Sequence, residues 1–399
     1  MDINPSQAEA EQLKAAQAQI AAEIKQKGGW IPFSRYMERA LYDPKFGYYV
    51  SDLKKFGDGG DFITAPEISP FFGQTITNTI LPVLEGIKKK GLPTRILEFG
   101  AGTGQLAKSI LLELQLRRFQ LDSYDIIEIS PTLAARQKSL LTETCKSSGI
   151  QTKINWRNQP PQPFEGIIFA NEVLDAFPCE RIIHHQNAWH HLGVSVETNH
   201  SSEILVSAIG PQVSQKDIDP ILQTGSNFAE GYTTEIHPHA LEWVMKTART
   251  LKQGMMILID YGFPESEYYH PQRNGGTLMA HHHHRANPDV LELPGISDIT
   301  CHINFSNLMR PLENESDAEL FFSSQASYLL NAGIGDLVLQ KADPLDQKRF
   351  IAVSNEIQKL ISEAEMGELF KVMAFGKNLT GLDLSLHTLP GFSGRNRLY

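Results

Sequence analysis

Three glycines at alternate positions follow a short apolar stretch and precede a helical pattern, in the run Glu98-Phe99-Gly100-Ala101-Gly102-Thr103-Gly104. Because glycine has no Cβ, such a turn lets the backbone come close to a ligand. The helix that follows offers free N–H groups in its first turn. A dinucleotide fingerprint would carry its third glycine at position 105, where the chain has Gln105. The turn therefore predicts a ligand site of another kind.

A second acidic residue stands near the end of the next predicted strand. Ser123 to Ile129 is apolar enough to be buried in a sheet, and Glu128 lies close to its end. A carboxylate in this place can accept hydrogen bonds from both hydroxyl groups of a ribose. The alternative is a solvent-facing glutamate that happens to follow a glycine-rich turn. The combination of turn and acid favours a ligand that contains a nucleoside.

Polar residues also follow a third apolar strand, Gly166 to Ala170. Asn171, Glu172 and Asp175 come next in the chain, at the carboxyl edge where open α/β sheets bind ligands. An amide and two carboxylates suit a cationic or amide nitrogen of a substrate. The alternative is a capping cluster for the next helix, because Asn and Asp cap helices well. One residue can serve both purposes.

Four consecutive histidines, His281–His284, are the other group with ligand chemistry. Adjacent side chains point in different directions on any regular backbone, so the four are not expected to converge on one ion. We predict no metal site and a loop that uses one or two of them, together with Arg285. The three cysteines, Cys145, Cys179 and Cys301, are too scattered for a disulfide framework or a CxxC site.

The elements that must position these residues alternate between strands and helices from about Arg95, which is the pattern of a parallel α/β sheet. The predicted strands are Arg95–Phe99, Ser123–Ile129, Gly166–Ala170 and Met255–Asp260. The predicted helices are Ala8–Lys27, Gln105–Leu116, Thr132–Thr142 and Pro238–Leu251. A β-meander is expected over Arg181–His185, Trp189–Val196 and Ile204–Ile209. The aperiodic segments 31–70 and 262–311 are predicted to be loop regions.

We divide the chain into three parts on this basis. Residues 1–90 are predicted to form an N-terminal helical and loop extension that packs on a core domain. Residues 91–377 form that core, with insertions at about 181–235 and 262–311. Residues 378–399 are a C-terminal tail.

Charge and hydropathy exclude several classes of partner. The net charge of −10 over 399 residues argues against a nucleic-acid partner, because phosphate binding needs a basic surface. No run reaches the ~20 apolar residues that cross a bilayer, so no membrane insertion is expected. The first residues resemble neither a secretory signal nor an Arg-rich transit peptide. We therefore expect a cytoplasmic protein, and the sequence leaves its oligomeric state open.

The glycine turn is similar to the first motif of class I methyltransferases, whose cofactor is S-adenosyl-L-methionine. Longer blocks resemble the family that includes the mitochondrial complex I assembly methyltransferase and its bacterial relatives. In chain order these blocks are Gly47-Tyr48-Tyr49, Lys55-Phe56-Gly57, Gly60 to Pro70, Phe72-Gly73-Gln74, Leu97 to Gly104, Asn171 to Ala176, Ile259 to Pro264, Glu267 to Arg273, Gly276 to Met279, His284-Arg285, Pro294-Gly295, Asp298-Ile299-Thr300 and Met366 to Val372. They span about Trp30 to Lys377, which is nearly the whole chain.

The resemblance implies a Rossmann-like α/β fold, with a mostly parallel sheet flanked by helices, an N-terminal extension and β/loop insertions. It implies S-adenosyl-L-methionine as cofactor and a protein substrate, with symmetric dimethylation of an arginine in a core complex I subunit. The cofactor-binding residues are then Glu98, Gly100, Gly102, Gly104, Glu128 and Asn171. The catalytic candidates are Glu172, Asp175 and Glu67, because carboxylates can hold the guanidinium fork. Relatives have His-Tyr-Arg-His-Arg at the histidines, and here His282 and His283 replace the aromatic and basic positions.

Two other functions remain open at this point. One is a methyltransferase that acts on another protein, a small molecule or a nucleic acid with the same cofactor motif. Asn171-Glu172-Val173 lacks the Pro-Pro-aromatic run of base-amino methylases, which argues against nucleic acid. The other is an assembly factor that binds S-adenosyl-L-methionine without turnover. Glu67 has its own alternative role, a helix-start carboxylate next to Pro66, and Tyr261 is either a pocket residue or a packed aromatic.

Overall fold

The structure is a computed structural model that describes residues 5–50, 63–199, 202–225, 227–283, 285–342, 345–394 and 396. The motif blocks Lys55-Phe56-Gly57 and Gly60-Asp61-Phe62, and the residue His284, lie outside this described part.

The helices of the described part are α1 Gln7–Gln26, α2 Phe33–Tyr42, α3 Ala65–Ile68, α4 Pro70–Lys89, α5 Gln105–Leu116, α6 Pro131–Ser148, α7 Gln215–Gln223, α8 Pro238–Thr250, α9 Glu265–Tyr268, α10 Phe305–Met309, α11 Gln325–Asn331, α12 Ile334–Lys341, α13 Gln347–Ile361 and α14 Met366–Leu369. The strands are β1 Trp30–Ile31, β2 Arg95–Phe99, β3 Ser123–Ile127, β4 Lys153–Arg157, β5 Phe164–Asn171, β6 Glu180–His185, β7 Ala188–Asn199, β8 Ser202–Gln212, β9 Thr233–Ile236, β10 Leu251–Phe263, β11 Met279–His282, β12 Arg285–Asn287, β13 Asp298–Thr300, β14 Ile303–Asn304, β15 Ala318–Ser324 and β16 Phe370–Lys377. Every helix in these ranges is too short or too polar to span a bilayer.

The chain divides into two compact units, each assembled from three segments. The first unit is Met1–Phe62, Leu174–Trp243 and Phe263–Asn307, and the second is Ile63–Val173, Val244–Gly262 and Leu308–Tyr399. The chain therefore leaves the second unit after Val173, just beyond β5, and returns to it at Val244, within α8 and ahead of β10.

The second unit is built on a sheet with the strand order β15-β16-β10-β5-β2-β3-β4. The five strands from β10 to β4 are parallel, and β16 is antiparallel to both of its neighbours. Strands β5 and β10 are buried along almost their whole length, which is typical of the centre of a parallel sheet. The strand order reverses between β2 and β5, so their carboxyl ends flank the crevice in which such sheets bind ligands.

The sequence patterns located most of this sheet. Strand β2 and helix α5 match the predicted bounds residue for residue. Strand β10 is longer than predicted at both ends, because Leu251, Gln253 and Gly254 also pair with β5 and Tyr261 also pairs with β16. The predicted mostly parallel α/β sheet is confirmed, and the antiparallel pair β15 and β16 completes it.

The first unit contains two smaller sheets. One has the order β1-β7-β6-β9 with β8 paired to β7, and it includes the predicted meander β6, β7 and β8. The other is β12-β11-β13. Apolar side chains from α1, α2 and the strands β11 and β13 form one core of this unit, and a second core surrounds Trp189 and Tyr232.

Two loop predictions are wrong. The segment 31–70 contains helix α2, in which Phe33, Tyr36, Met37 and Leu41 are buried, since apolar residues recur there at helical spacing. Proline and glycine farther along the segment had concealed that period. The segment 262–311 contains the three-stranded sheet, whose strands are too short to show an alternating pattern.

Candidate functional site

The glycine turn joins β2 to α5 at the crevice of the second unit. Gly100, Gly102 and Gly104 have φ values of +59°, +52° and +90°, in the left-handed region that disfavours other residues. Gly104 is the N-cap of α5, and the Gly100 N–H donates to the Ile127 carbonyl at the end of β3, at 2.9 Å. The positive φ values explain why the motif needs glycine at these positions.

The glycines differ in what surrounds them. A Cβ added to Gly100 would lie 2.9 Å from Cγ2 of Val173, whereas a Cβ on Gly102 would meet no described atom within 4 Å. Gly100 therefore permits close packing inside the protein. Gly102 borders open room beside the first N–H groups of α5.

Glu128 follows β3 at the same edge and is held from two sides. Its Oε1 accepts a hydrogen bond from the Ser130 N–H at 2.9 Å, and its Oε2 accepts one from Nε2 of Gln137 at 2.9 Å. The same Nε2 donates to the Gly102 carbonyl at 2.8 Å, and Trp156 donates to the Gln137 amide oxygen. Since a carboxylate accepts up to about four hydrogen bonds, these two orient Glu128 and are compatible with two ribose hydroxyl donors.

Glu98 lies one step below the turn, within β2, and is 2% exposed. The Tyr124 hydroxyl of β3 donates to its Oε2 at 2.7 Å. Burial raises the pKa of Glu98 to about 7; the Tyr124 hydrogen bond opposes that rise, and the negative charge of Glu128 adds to it. The structure thus places Glu98 inside the sheet, bonded to Tyr124 of the neighbouring strand β3.

Asn171 and Glu172 end β5 on the other side of the crevice. Glu172 has a left-handed backbone with φ of +54°, an uncommon conformation for a residue that is not glycine. Its N–H donates to the Ile259 carbonyl at 2.9 Å. The next N–H, that of Val173, donates to the buried Asp260 carboxylate at 3.2 Å. Strand β10 therefore holds Glu172 and Val173 in place through these two hydrogen bonds. Strained backbone of the kind seen at Glu172 is concentrated at functional sites.

The Asn171 side chain has an acceptor aimed into the protein. Its Nδ2 donates to Oε1 of Glu172 at 3.1 Å. Its Oδ1 is buried and accepts no hydrogen bond from any described residue. A buried amide oxygen without a donor costs about 1–3 kcal/mol, which a bound ammonium or amide N–H would recover.

Glu67 belongs to the same edge through the glycine turn. The Thr103 hydroxyl donates to its Oε1 at 3.1 Å, while its Oε2 is buried and accepts no hydrogen bond within the described part of the chain. Burial raises the pKa of Glu67, and the bonds from Thr103 and the Thr64 N–H oppose that rise. Glu67 also lies in the first turn of α3, so the helix-start interpretation describes its place and leaves Oε2 available to a donor.

Asp175 falls in the first unit, beyond the point where the chain leaves the sheet. It lies in a single 3-10 turn, Leu174–Ala176, so no α-helix begins there for it to cap. It is 5% exposed, and burial raises its pKa to about 7. Its neighbours in this unit include Tyr42, whose hydroxyl donates to the Ala176 carbonyl at 2.8 Å.

Most of the residues that support the site carry no motif signal in the sequence. Gln137 and Trp156 orient Glu128, Tyr124 holds Glu98, and Asp260 fixes the turn after β5. Only Asp260 had a signal, since it directly precedes Tyr261 at the end of a predicted strand. Tyr261 itself packs on Phe370 with ring centroids 4.1 Å apart, in agreement with the packed-aromatic interpretation.

Comparison with known proteins now decides between the ligand classes. The sequence model of a family of S-adenosyl-L-methionine-dependent methyltransferases matches residues 75–323. This chain belongs to that family. A crystal structure of a Burkholderia thailandensis protein bound to S-adenosyl-homocysteine is 41% identical, with a TM-score of 0.88, and covers 99% of this chain and 98% of that chain. The predicted class I methyltransferase fold and the S-adenosyl-L-methionine cofactor are both confirmed.

Curated relatives of this methyltransferase match over most of its length. The mitochondrial protein arginine methyltransferase NDUFAF7 of Danio rerio is 27% identical over 369 residues, 86% of this chain and 82% of the relative. The Drosophila melanogaster homologue is 25% identical over 404 residues, 94% of this chain and 88% of the relative. These relatives contradict the prediction of a cytoplasmic protein, because each is named as mitochondrial. A start without an Arg-rich pattern was too weak a basis for a compartment.

The residues of the methyltransferase fit its cofactor. The open space at Gly102 and the first N–H groups of α5 would accommodate the methionyl part. Oδ1 of Asn171 would accept from its ammonium, and Glu128 would accept from the ribose. When bound, S-adenosyl-L-methionine supplies an electrophilic methyl group on a sulfonium. The protein's own contribution is to fix these acceptors in advance, through Gln137, Ser130 and the β10 contacts, so that little reorganisation is needed on binding.

Proposed function

We propose that this methyltransferase acts on an arginine side chain of a protein, and that its substrate is a core subunit of respiratory complex I. The observation that carries the proposal is the strained Glu172 at the end of β5, with φ of +54°, at the same sheet edge as the cofactor candidates. The names of the curated relatives, which are protein arginine methyltransferases, support an arginine substrate. The resemblance of the motif blocks supports complex I.

The chemistry of arginine methylation explains why carboxylates are needed. A guanidinium has five N–H donors, no acceptor, and stays protonated at neutral pH. A site for it must therefore supply acceptors and negative charge. Glu172 and the buried Oε2 of Glu67 have this chemistry, and both belong to the second unit. Charge-assisted, forked hydrogen bonds would hold the guanidinium plane and localise its charge away from the attacking nitrogen.

Asp175, three residues after Glu172 in the chain, is the third catalytic candidate of this proposal. Because burial raises its pKa to about 7, it is partly protonated at neutral pH when no cation is near. We assign Glu172 the leading role, since its N–H is bonded to the Ile259 carbonyl and the N–H of the next residue, Val173, to the Asp260 carboxylate.

The decisive experiment compares methyl transfer with cofactor binding. Glu172→Gln keeps the shape and removes the charge, so turnover on the subunit should fall by on the order of 10²-fold or more. Cofactor affinity, measured by calorimetry, should change little. Glu85→Gln, at an exposed position of α4, is the matched control and should keep full turnover. Full turnover in Glu172→Gln, or equal loss of cofactor binding, would contradict the assignment.

The substrate itself is identified in cells. Mass spectrometry of complex I subunits, with and without this protein, should show methylated arginine in a core subunit only when the protein is present. Restoring wild type should restore the mark, and restoring Glu172→Gln should not. Unchanged arginine methylation across the subunits would contradict the complex I substrate while leaving the methyltransferase assignment intact.

A further inference from the structure

Two of the four consecutive histidines turn to the same side of the chain. His282 ends β11, and His283 follows with a φ of +48°. Side chains of neighbouring strand residues normally point to opposite faces, but this left-handed residue breaks the alternation. As a result the two imidazole rings lie with centroids 4.1 Å apart, at 85° to each other. The expectation that adjacent histidines cannot converge holds only for a regular backbone.

Both imidazoles meet the same carboxylate oxygen. Nε2 of His282 lies 3.2 Å from Oε1 of Glu9, and Nε2 of His283 lies 2.9 Å from that oxygen. The two imidazole nitrogens and the carboxylate oxygen, which are all atoms that could bind a metal ion, lie within 4.8 Å of one another. Glu9 is in the first turn of α1, so residues far apart in sequence come together within the first unit.

Glu9 is oriented for this contact by the end of its own helix. Its Oε2 accepts hydrogen bonds from the Ser6 N–H at 2.8 Å and the Ser6 hydroxyl at 2.7 Å. The bond from the Ser6 N–H, together with the one from the Glu9 N–H to Oγ of Ser6, forms a capping box. Ser6 thus holds Oε2 of Glu9, which leaves Oε1 turned towards the two histidines.

The donor set and its spacing match those of a transition-metal site. Two imidazole nitrogens and one carboxylate oxygen form a known zinc ligand set that keeps a fourth position for water. Ligands at about 2.0–2.1 Å from a tetrahedral ion are about 3.3 Å apart, close to the two observed contacts. The side chain of Glu9 is 10% exposed and that of His282 7%, whereas His283 is 59% exposed. The site is thus anchored on two buried groups and open to solvent at the third.

We propose that Glu9, His282 and His283 bind a divalent first-row transition ion, for which Zn²⁺ is the representative. The ion would replace the two imidazole–carboxylate hydrogen bonds. Each Nε2 would give its lone pair to the metal, so a proton on Nε2 moves to Nδ1 or is released to solvent. The ion would fasten the first turn of α1 to the end of β11. Its test measures metal binding and so does not depend on activity.

Calorimetric titration of the full chain with Zn²⁺, after removal of metal by a chelator, provides the first test. Wild type should bind a single ion per chain, and Co²⁺ in its place should give the intense visible absorption of a tetrahedral site. Glu9→Gln keeps all four histidines and removes only the carboxylate. We expect its affinity to fall by ~10²-fold or more, since even loss of an outer-shell partner costs 10–100-fold.

Two further variants distinguish a specific three-residue metal site from non-specific binding of metal by consecutive histidines. His283→Gln changes an exposed residue, so it should fold normally and lose affinity as Glu9→Gln does. His281→Gln, next in the same run but outside the converging group, should bind Zn²⁺ as wild type does. Equal affinity in wild type and Glu9→Gln, or an equal loss in His281→Gln, would overturn the proposal. So would a wild type that binds no Zn²⁺, because Glu9 and the imidazoles would then be joined by hydrogen bonds alone.

Discussion

The carboxyl edge of the parallel sheet and the interior just beneath it both carry an acidic residue of the cofactor motif. At the edge, Glu128 is half-buried and receives hydrogen bonds from Ser130 and Gln137. In the interior, Glu98 is almost fully buried and receives one from Tyr124. The sequence assigned both residues to the cofactor. In the structure their surroundings differ: Glu128 can contact a ligand, whereas Glu98 is enclosed by the sheet.

The difference follows from position along the strand. Glu98 precedes the last residue of β2, whereas Glu128 follows the last residue of β3. One carboxylate is therefore enclosed by the sheet, and its pKa rises to about 7 because it is desolvated. The other can meet a ligand. A motif specifies which residue types are present, but their register against the strand end decides which of them face the crevice.

The largest effect should come from the edge itself, at Gly102. A valine there adds a branched side chain where no described atom now lies within 4 Å of a Cβ, so it would fill the room assigned to the cofactor. We expect calorimetric affinity for S-adenosyl-L-methionine to fall by more than ~10²-fold. Binding close to that of wild type, in a folded Gly102→Val protein, would remove the glycine turn from the cofactor site.

Gly91 offers a matched control for backbone strain. Its φ is +72°, and a Cβ there would also meet no described atom within 4 Å. Gly91→Val and Gly102→Val should therefore each lose ~1–2 kcal/mol of folding stability. Only Gly91→Val should keep the cofactor affinity of wild type. If both variants lost affinity equally, strain rather than ligand contact would be the cause.

The strand, glycine turn and helix at this edge could be predicted from the sequence, because apolar residues and glycines recur there at regular intervals. Helix α5 and strand β2 were located to the residue, and the predicted chemistry at Gly102 and Glu128 needed only their places after strands. The contacts that the sequence did not predict depend on irregular backbone or on residues far apart in the sequence. The contact of His282 and His283 with Glu9 needs a left-handed residue that is not glycine. Gln137 reaches Glu128 only because α6 packs beside the turn.

The next effect in size should come from Glu128. Removing a carboxylate that accepts charge-assisted hydrogen bonds from the ribose should cost ~1.5–3 kcal/mol of cofactor binding. Glu128→Ala should show this loss by calorimetry. Glu143→Ala, at an exposed position of α6, is the control and should bind as wild type. A change of less than about threefold in Glu128→Ala, below the ~1.5 kcal/mol expected of a hydrogen bond to a charged group, would contradict the role of Glu128.

The smallest effect on cofactor affinity, and the one that tests the interior, concerns Glu98. Its pKa is raised in the folded protein from an ordinary 4.5 to about 7. Between these values the folded chain keeps a proton that the unfolded chain releases, so its stability falls as pH rises through this window. Above it, ionised Glu98 should cost the fold ~1–2 kcal/mol, less than the full shift implies, because neighbouring groups relax.

Glu98→Gln removes this titration and can still accept the Tyr124 hydrogen bond. Its Tm should therefore change less than that of wild type between pH 5 and pH 7, a window within ~1 unit of the two pKa values. At neutral pH its cofactor affinity should stay within a few-fold of wild type, far from the loss expected for Glu128→Ala. Tyr124→Phe should lower the stability at alkaline pH further, since it withdraws the bond that opposes the raised pKa of Glu98. Identical pH profiles for wild type and Glu98→Gln, or a cofactor loss as large as that of Glu128→Ala, would place Glu98 at the edge and end the distinction between the two regions.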